Sequence, residues 1–319
     1  MTGAERPLVI VTRKLPDVVE TRLRELFDAR LNLDDTPLSR EQLVEAVKTA
    51  DVLVPTVTDR IDRSVLSQAG PQLKLIAQFG TGVDNIDLET ARNRSIIVTN
   101  TPGVLTDATA DLTWALILGI TRRIGEGERL IRRGDWRGWT FDFMLGADIR
   151  GKQLGIVGYG GIGRAVAARG RAFGMRVAYT SRTPKDDPEA EPMPFDRLLA
   201  TSDVVSLHCP LTPETRHLID QPALARMKRS AYLINTSRGP VVDEKALAWA
   251  LRMRLIAGAA LDVFEQEPKV EPELLTLENV LLVPHLGSGT VETRTAMADL
   301  AVRNVAAVLS GQAPLTPVS

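Results

Sequence analysis

Short apolar runs alternate with helix-like segments over the first hundred residues of the chain. The runs at residues 8–12, 52–54 and 73–78 have the length and aliphatic character of buried strands. The segments at residues 18–27 and 41–49 have the pattern of helices. Because strands that alternate with helices form parallel sheets with crossover helices, this order predicts an α/β domain.

A turn interrupts this order near residue 100, and the order then restarts. A strand at residues 96–98 is followed by Asn-Thr-Pro-Gly at 100–103, whose Pro-Gly pair indicates a turn and a domain junction. A helix is predicted at residues 107–123, and a closing helix at 292–309 is predicted to pack back on the first domain. The later predicted strands lie at residues 153–157, 175–179, 204–207, 232–235, 257–261 and 280–283. These runs are typical of a sheet that is covered on both faces.

Four aromatic side chains crowd into the segment of residues 134–146. They are Trp136, Trp139, Phe141 and Phe143. The segment is predicted to be an ordered loop that buries its aromatics. Burial against a partner subunit and packing in the core of the same chain both remain open.

Length and composition narrow the class of protein. A chain of 319 residues is long enough for two domains, and 44% apolar with 25% charged residues is typical of a globular, soluble protein. The net charge of -1 excludes the basic excess expected for binding nucleic acid or a membrane surface. The single cysteine, Cys209, excludes a disulfide framework, and no metal site is expected.

Two further features bear on localisation. The opening Met-Thr-Gly-Ala-Glu-Arg-Pro contains no apolar signal core, and the apolar stretch at residues 112–120 is too short to span a bilayer. A reducing compartment suits the lone cysteine. The expectation is a cytoplasmic protein.

A glycine fingerprint follows the predicted strand at residues 153–157. Gly158, Gly160 and Gly163 are spaced as in dinucleotide-binding loops, and a helix and then another strand follow them. Such a loop lets the backbone approach a pyrophosphate at a helix N-terminus. The motif as a whole comprises Gly158, Tyr159, Gly160, Gly161, Ile162 and Gly163. It predicts NAD(P) binding, against the alternative of an ordinary glycine turn.

The end of the next strand bears on the choice between NAD and NADP. NAD enzymes usually place Asp or Glu there for the ribose hydroxyl, whereas this chain has Ser181, Arg182 and Thr183. Two hydroxyls and a guanidinium suit a 2′-phosphate. NADP is therefore favoured. The alternative is that Arg182 is merely exposed and that the enzyme also accepts NAD.

Three strand-end segments carry reactive side chains, at residues 235–239, 261–268 and 284–288. Reduction of a 2-oxo acid needs a cation for the carboxylate, a proton donor and a partner for that donor. Arg238, His285 and Glu267 supply these types. The competing interpretations are a salt-bridge arginine, a core histidine and a turn-capping glutamate.

Four other side chains also carry reactive groups but are not assigned to catalysis. Glu265 is the rival acid to Glu267. His208 and His217 are interpreted as structural or surface residues, and Cys209 as a buried or cofactor-lining thiol rather than a nucleophile.

With these segments in family order and spacing, the sequence resembles the D-isomer-specific 2-hydroxyacid dehydrogenase family, and within it the glyoxylate and hydroxypyruvate reductases. Residues 82–87 and 98–103 add to the resemblance, which covers almost the whole chain. It implies that Arg238 holds the substrate carboxylate and polarises the carbonyl. His285 would donate the proton, and Glu267 would bind His285 and favour its charged form.

The resemblance also implies the remaining binding residues. Backbone amides near Gly80, Thr81, Gly82 and Val83 would bind the substrate carboxylate, and Asp262 would lie beside the nicotinamide amide. Asn100 lies either in a hinge or at the site. Further cofactor contacts are expected from Thr106, Pro210, Thr215, Thr236 and Gly287.

The expected architecture is two doubly wound parallel-sheet domains of the Rossmann-like α/β class. Residues 100–287 would bind NAD(P), and residues 1–99 with 288–319 would form a flavodoxin-like substrate domain. Since family members usually pair through the cofactor domain, a homodimer is expected. The alternative functions are another D-2-hydroxyacid dehydrogenase, of the D-lactate or D-3-phosphoglycerate type, and an NAD(H)-sensing corepressor-like protein.

Overall fold

The computed structural model describes residues 6–318, which fall into two compact units. One unit contains the described residues up to Leu105 and those from Thr290 onward, and the other spans Thr106–Gly289. Residues 1–5, on which the expectation of no signal core partly rests, and Ser319 lie outside the described residues.

The first unit is built on five parallel strands in the order β2-β1-β3-β4-β5. The strands are β1 (Leu8–Val11), β2 (Asp28–Arg30), β3 (Val52–Val54), β4 (Leu75–Ala77) and β5 (Ile97–Thr99). The helices are α1 (Asp17–Leu26), α2 (Arg40–Thr49), α3 (Arg63–Leu66), α4 (Leu88–Asn93) and the last helix of the chain, Val291–Leu309.

Helices cover both faces of this first sheet. Within β3, Leu53 packs in one apolar cluster with residues of α2 to α4, while Val52 and Val54 pack in another with α1 and the last helix. Because successive strand residues point to opposite faces, an uninterrupted apolar strand signals a sheet that is buried on both sides.

The second unit is built on seven parallel strands in the order β12-β11-β10-β9-β6-β7-β8. The strands are β6 (Gln153–Val157), β7 (Arg176–Thr180), β8 (Glu191–Pro192), β9 (Val204–Leu207), β10 (Tyr232–Asn235), β11 (Gly258–Leu261) and β12 (Val280–Leu282). The helices are α5 (Thr106–Thr121), α6 (Ile124–Arg132), α7 (Gly161–Ala172), α8 (Phe195–Thr201), α9 (Gln221–Arg226) and α10 (Glu244–Arg252). The last helix, Val291–Leu309 in the first unit, is α11.

The predicted fold class is confirmed. The first sheet has the strand order of flavodoxin-like domains and the second has that of dinucleotide-binding domains, so both units are doubly wound. The unit boundaries at 105/106 and 289/290 differ slightly from those expected from the sequence. The loop after β5 belongs to the first unit because Thr101 N donates to Gly80 O and Asn100 N to Thr316 O.

Strands β2 and β8 and helices α3, α4, α6, α8, α9 and α10 escaped the sequence prediction. Strand β2 is a three-residue edge strand of mixed polarity, and α6 has no buried residue. Because neither element contains a buried side chain, neither shows the run of buried apolar residues by which core elements are recognised. Among the described residues, no helix is long and apolar enough to cross a membrane.

The expectation that the aromatic loop is buried is wrong for the single chain. Trp139 is 80% exposed and Phe141 is 85% exposed, and Trp136 is exposed by more than half. Core packing within the same chain is therefore excluded for these rings. The segment is irregular, and it follows the equally uncovered helix α6.

Candidate active site

The glycine loop lies where the strand order of the second sheet reverses. Strand β6 has β7 on one side and β9 on the other, and the loops after β6 and β9 begin at Gly158 and His208. These loops touch, because a Cβ on Gly158 would lie 2.6 Å from the carbonyl carbon of His208. Ligands of open parallel sheets bind at such a reversal, beyond the carboxyl ends of the strands.

The three fingerprint glycines are required for different physical reasons. Gly158 has a φ of 95°, and a Cβ there would lie 2.5 Å from Cys209 N. A Cβ on Gly163 would lie 2.3 Å from Gly158 O, so the start of α7 packs directly on the loop. A Cβ on Gly160 would meet no described atom within 4 Å, so it would project into open space. The loop therefore forms a backbone cradle that a side chain would fill.

The first turn of α7 faces this cradle without a capping side chain. Its N-cap residue is Gly160, and the first turn has no acidic residue. Uncapped N–H groups and the positive end of the helix dipole attract phosphate. Thr106 lies beside this turn, with Oγ1 3.6 Å from a Cβ built on Gly161. These features fit a bound dinucleotide pyrophosphate.

The predicted ribose-binding turn adjoins the same loop. Gly158 N donates to Thr180 O at 2.9 Å, which places the end of β7 next to the cradle. Ser181 is half-buried and its Oγ donates to Thr183 O at 2.6 Å, whereas Arg182 is exposed. Arg182 lies close enough to Glu214 to contribute to lowering the pKa of that carboxyl, after the hydrogen bond with Thr212 and a backbone hydrogen bond.

The other predicted cofactor residues of the second unit surround these loops to different degrees. Thr215 Oγ1 donates to Pro210 O at 2.7 Å and so shapes the loop after β9. Thr236 is buried and its hydroxyl lies 2.9 Å from that of Thr113. The side chain of Tyr159 lies in the core, so only its backbone belongs to the glycine loop.

The structure brings His285 and Glu267 together. His285 Nδ1 lies 2.8 Å from Glu267 Oε2, and Glu267 Oε1 accepts a hydrogen bond from Phe264 N at 3.0 Å. Burial opposes ionisation of Glu267, but the hydrogen bond and charge of His285 and the charge of Arg238 leave its pKa below the usual value. Glu267 is therefore a carboxylate at neutral pH, and Arg238 lies near enough to help keep it so.

Asp262 holds the loop that carries His285. Its two carboxyl oxygens accept hydrogen bonds from Leu286 N at 2.5 Å and Gly287 N at 2.9 Å, and its carbonyl accepts one from His285 N at 2.9 Å. Burial raises the pKa of Asp262 to about 6, against the opposing effect of these hydrogen bonds and of His285. His285 itself adopts a φ of 53°, a conformation that this bracing maintains.

The rival acid binds a different histidine. Glu265 Oε1 contacts Nε2 of His217, and Glu265 N donates to the carboxylate of the buried Glu244. Two residues apart in sequence, Glu265 and Glu267 thus serve two separate histidines. The contact of Glu267 with His285 is the one that the family resemblance implies, and the turn at residues 262–268 gives Glu265 a different partner.

Beside the cradle, Cys209 is buried and His208 is half-buried. His208 Nε2 lies 2.8 Å from Ser206 Oγ, and burial lowers the pKa of His208 to about 3. Burial raises the pKa of the Cys209 thiol to about 11. A neutral imidazole and a protonated thiol at pH 7 match the structural roles predicted for both.

In the first unit, the predicted substrate loop follows β4. Gly80 O accepts a hydrogen bond from Thr101 N, and Thr81 O accepts one from Asn100 Nδ2. Gly82 O accepts one from Gln78 Nε2. Within residues 6–318, the N–H groups of Thr81, Gly82 and Val83 donate to no backbone carbonyl. A loop whose carbonyls are used and whose amides are open can bind an anion.

Gln78 and Asn100 are bracing residues whose roles the sequence did not settle. Gln78 is fully buried, and Asn100 Nδ2 lies 2.7 Å from Thr81 O. The sequence signal that could have identified each of them is an amide side chain at or just after the carboxyl end of a predicted strand.

Fold and site together define an NAD(P)-dependent oxidoreductase of the doubly wound α/β class. The sequence profile of the D-isomer specific 2-hydroxyacid dehydrogenase NAD binding domain matches residues 114–287. The chain is 48% identical over 317 residues to glyoxylate reductase of Thermococcus litoralis, a match covering 97% of this chain and 96% of that protein. The chain therefore belongs to the D-isomer specific 2-hydroxyacid dehydrogenase family, as its resemblance predicted.

Solved structures agree with this membership. The NADPH-dependent glyoxylate/hydroxypyruvate reductase of Sinorhizobium meliloti, in complex with NADP and malonate, aligns with a TM-score of 0.89 at 34% identity, covering 99% of this chain and 97% of that chain. A glyoxylate reductase from Paecilomyes thermophila aligns with a TM-score of 0.89 at 34% identity, covering 99% of both chains.

Proposed function

We propose that this protein reduces glyoxylate or hydroxypyruvate to the corresponding 2-hydroxy acid, with NADPH as the preferred hydride donor. The observation that carries the proposal is the 2.8 Å pair of His285 and Glu267, beside Arg238, in the unit that carries the glycine cradle. Relatives named glyoxylate reductase support a small 2-oxo acid as substrate.

His285 is the proton donor in this proposal. Glu267 occupies Nδ1 and orients the ring, so Nε2 is the nitrogen left to carry the transferred proton. A nicotinamide cofactor held by the glycine loop would supply the hydride for the substrate C2, and Nε2 of His285 would give its proton to the carbonyl oxygen. Glu267 accepts no proton and keeps the imidazole in position.

Arg238 and the loop of residues 80–83 are proposed to bind the substrate carboxylate. Arg238 offers a planar set of donors that suits a carboxylate, and the open amides of Thr81, Gly82 and Val83 also suit an anion. We accordingly assign substrate recognition to the loop of residues 80–83 in the first unit, and to Arg238 and His285 in the second unit. Dinucleotide binding belongs to the second unit, with Asp262 beside the nicotinamide end.

The preference for NADP rests on the turn after β7. Ser181, Arg182 and Thr183 stand where NAD enzymes usually carry an acidic residue. A carboxylate there would repel a 2′-phosphate, whereas a guanidinium attracts it. The Sinorhizobium meliloti relative, whose structure holds NADP, supports the same preference.

The exposed aromatic loop supports a homodimer. Ile124 and Ile131 of α6 are more than half exposed, and Trp139 and Phe141 lie on the segment that follows. An uncovered group of large apolar side chains on one part of a chain marks an interaction surface. A second copy of the chain is the proposed partner. A cytoplasmic location stays a prediction from composition.

A panel of 2-oxo acids with two cofactors tests the proposed function. NADPH and NADH oxidation would be followed with glyoxylate, hydroxypyruvate, pyruvate and longer 2-oxo acids. The expected result is the highest kcat/KM with glyoxylate or hydroxypyruvate and NADPH. Preference for pyruvate or a larger acid would favour another dehydrogenase of the family, and cofactor binding without turnover would favour a sensor.

A further inference from the structure

Two stacked tyrosines lie beneath the predicted ribose-binding turn. The rings of Tyr159 and Tyr179 have centroids 4.1 Å apart with an interplanar angle of 17°, and each residue is 1% exposed. Tyr159 is the second residue of the glycine motif, and Tyr179 is the next-to-last residue of β7. The pair therefore links the pyrophosphate loop to the strand that presents the ribose-binding residues.

Both hydroxyls bind the segment that follows Ser181, Arg182 and Thr183. Tyr179 Oη donates to Lys185 O at 2.9 Å and accepts from Lys185 N at 3.0 Å. Tyr159 Oη donates to Asp187 Oδ2 at 2.6 Å. Arg171 Nη1 lies 3.5 Å from the same carboxyl oxygen.

These contacts hold the turn at both ends. At its start, Thr180 O accepts the hydrogen bond from Gly158 N. At its end, Lys185 is held through both backbone polar groups. Between them, Ser181 Oγ bonds to Thr183 O. The backbone that carries the exposed Arg182 is thus attached to the cradle by two buried hydroxyls.

Stacked rings alone do not explain the two hydroxyls. A phenylalanine would fill the same core position, and a buried hydroxyl is retained at a cost unless it is hydrogen-bonded. In the segment after the turn, the Tyr179 hydroxyl binds Lys185 and the Tyr159 hydroxyl binds Asp187, and Arg171 of α7 also contacts the Tyr159 hydroxyl. The hydroxyls therefore hold that segment, while the rings fill the core.

We propose that Tyr159 and Tyr179 are positioning residues for cofactor specificity, whose hydroxyls hold Arg182 where it meets the 2′-phosphate of NADP. This inference rests on the proposed preference for NADP and adds the residues that enforce it. NADH lacks the 2′-phosphate, so its binding does not depend on Arg182 in this way. Loss of the hydroxyls should therefore reduce discrimination between the two cofactors.

Tyrosine-to-phenylalanine variants isolate the hydroxyls. Burial and the hydrogen bond with Asp187 raise the pKa of Tyr159 to about 12, so this residue is neutral at pH 7 and Tyr159→Phe changes no charge. The matched control is Tyr232→Phe, because Tyr232 is on β10, which β9 and β6 separate from β7. Thermal unfolding would verify that all variants remain folded.

The measurement is the Kd of NADPH and of NADH, from titration of nicotinamide fluorescence in the absence of substrate. We expect Tyr159→Phe and Tyr179→Phe each to reduce the preference for NADPH by about fivefold, which is the size of a typical net hydrogen-bond contribution. The expected preference of Tyr232→Phe equals that of the wild type. In an Arg182→Ala background, Tyr179→Phe should have no further effect on the preference.

The outcomes separate this inference from the function on which it rests. A wild-type protein that binds NADH as tightly as NADPH would contradict the proposed cofactor preference and the inference together. A wild-type preference for NADPH that both phenylalanine variants retain would overturn the inference alone. A reduced preference that persists unchanged with Arg182 absent would also overturn it, because the hydroxyls would then act by another route.

Discussion

His285 Nδ1 lies 2.8 Å from Oε2 of Glu267, although 17 residues separate the two in the sequence. The second carboxyl oxygen of Glu267 accepts a hydrogen bond from Phe264 N. The carboxylate is thus fixed by the backbone and in turn fixes the imidazole. A side chain held in this way loses little rotamer freedom when it reacts, which is the condition for an efficient proton donor.

Glu267→Gln should lower kcat by about 100-fold, because an orienting carboxylate is replaced by a neutral amide at the general acid. Glu265→Gln is the matched control, since Glu265 contacts His217 instead. Steady-state kinetics with glyoxylate would measure both variants. A large loss of kcat in the Glu265 variant, with a small one in the Glu267 variant, would reverse the assignment.

Alanine at two fingerprint glycines should have opposite consequences. Gly158→Ala meets a φ of 95° and the backbone of Cys209, so it should cost about 1–3 kcal/mol of unfolding free energy. Gly160→Ala meets no described atom, so its stability should match the wild type, whereas its Kd for dinucleotide should rise about tenfold. Thermal denaturation and cofactor titration distinguish the two effects. Wild-type cofactor affinity in Gly160→Ala would contradict the cradle.

Arg182→Ala should weaken NADPH binding by about tenfold or more, with a much smaller change for NADH, because one charge-assisted hydrogen bond is lost. Arg176→Ala is the control, since Arg176 lies at the opposite end of β7. Cofactor titration at fixed ionic strength measures both. Equal weakening for both cofactors would mean that Arg182 does not read the 2′-phosphate.

Acid should destabilise the wild type through Glu267. Its folded pKa lies below the usual 4.5, so the folded state binds this proton less tightly than the unfolded chain. The resulting stability is fully present above the unfolded pKa and is lost as the pH falls through the folded pKa. Urea denaturation from about pH 6 to pH 3 should therefore show a steeper loss for wild type than for Glu267→Gln. Parallel curves would contradict the favourable His285 contact.

Removal of two aromatic rings should separate the proposed dimer. The double variant Trp139→Ser with Phe141→Ser should be monomeric at micromolar concentration, because these exposed rings would form the centre of the interface. Light scattering after size exclusion measures the mass. Val291→Ser is the control, since Val291 is equally exposed but belongs to the first unit. A dimeric double variant, or a monomeric wild type, would exclude this interface.

Much of the fold was predictable because its signals are local. Buried strands such as β3 and β4 are uninterrupted apolar runs, and a turn follows each. The edge strand β2 and the exposed helix α6 escaped prediction, since neither carries an apolar face towards a core. The strand-end residues Arg238, Glu267 and His285 were also predicted as site candidates from the sequence, because parallel strands deliver their carboxyl ends to one edge of a sheet.

The sequence by itself determined the class of fold, the glycine loop and the chemical types at the strand ends, since each depends on neighbouring residues. Only the tertiary structure decided that Glu265 contacts His217, that Tyr159 turns its ring into the core, and that Trp139 and Phe141 remain uncovered. These outcomes depend on distances between segments far apart in the chain. Such distances are set by the packing of both faces of each sheet, which no local pattern encodes.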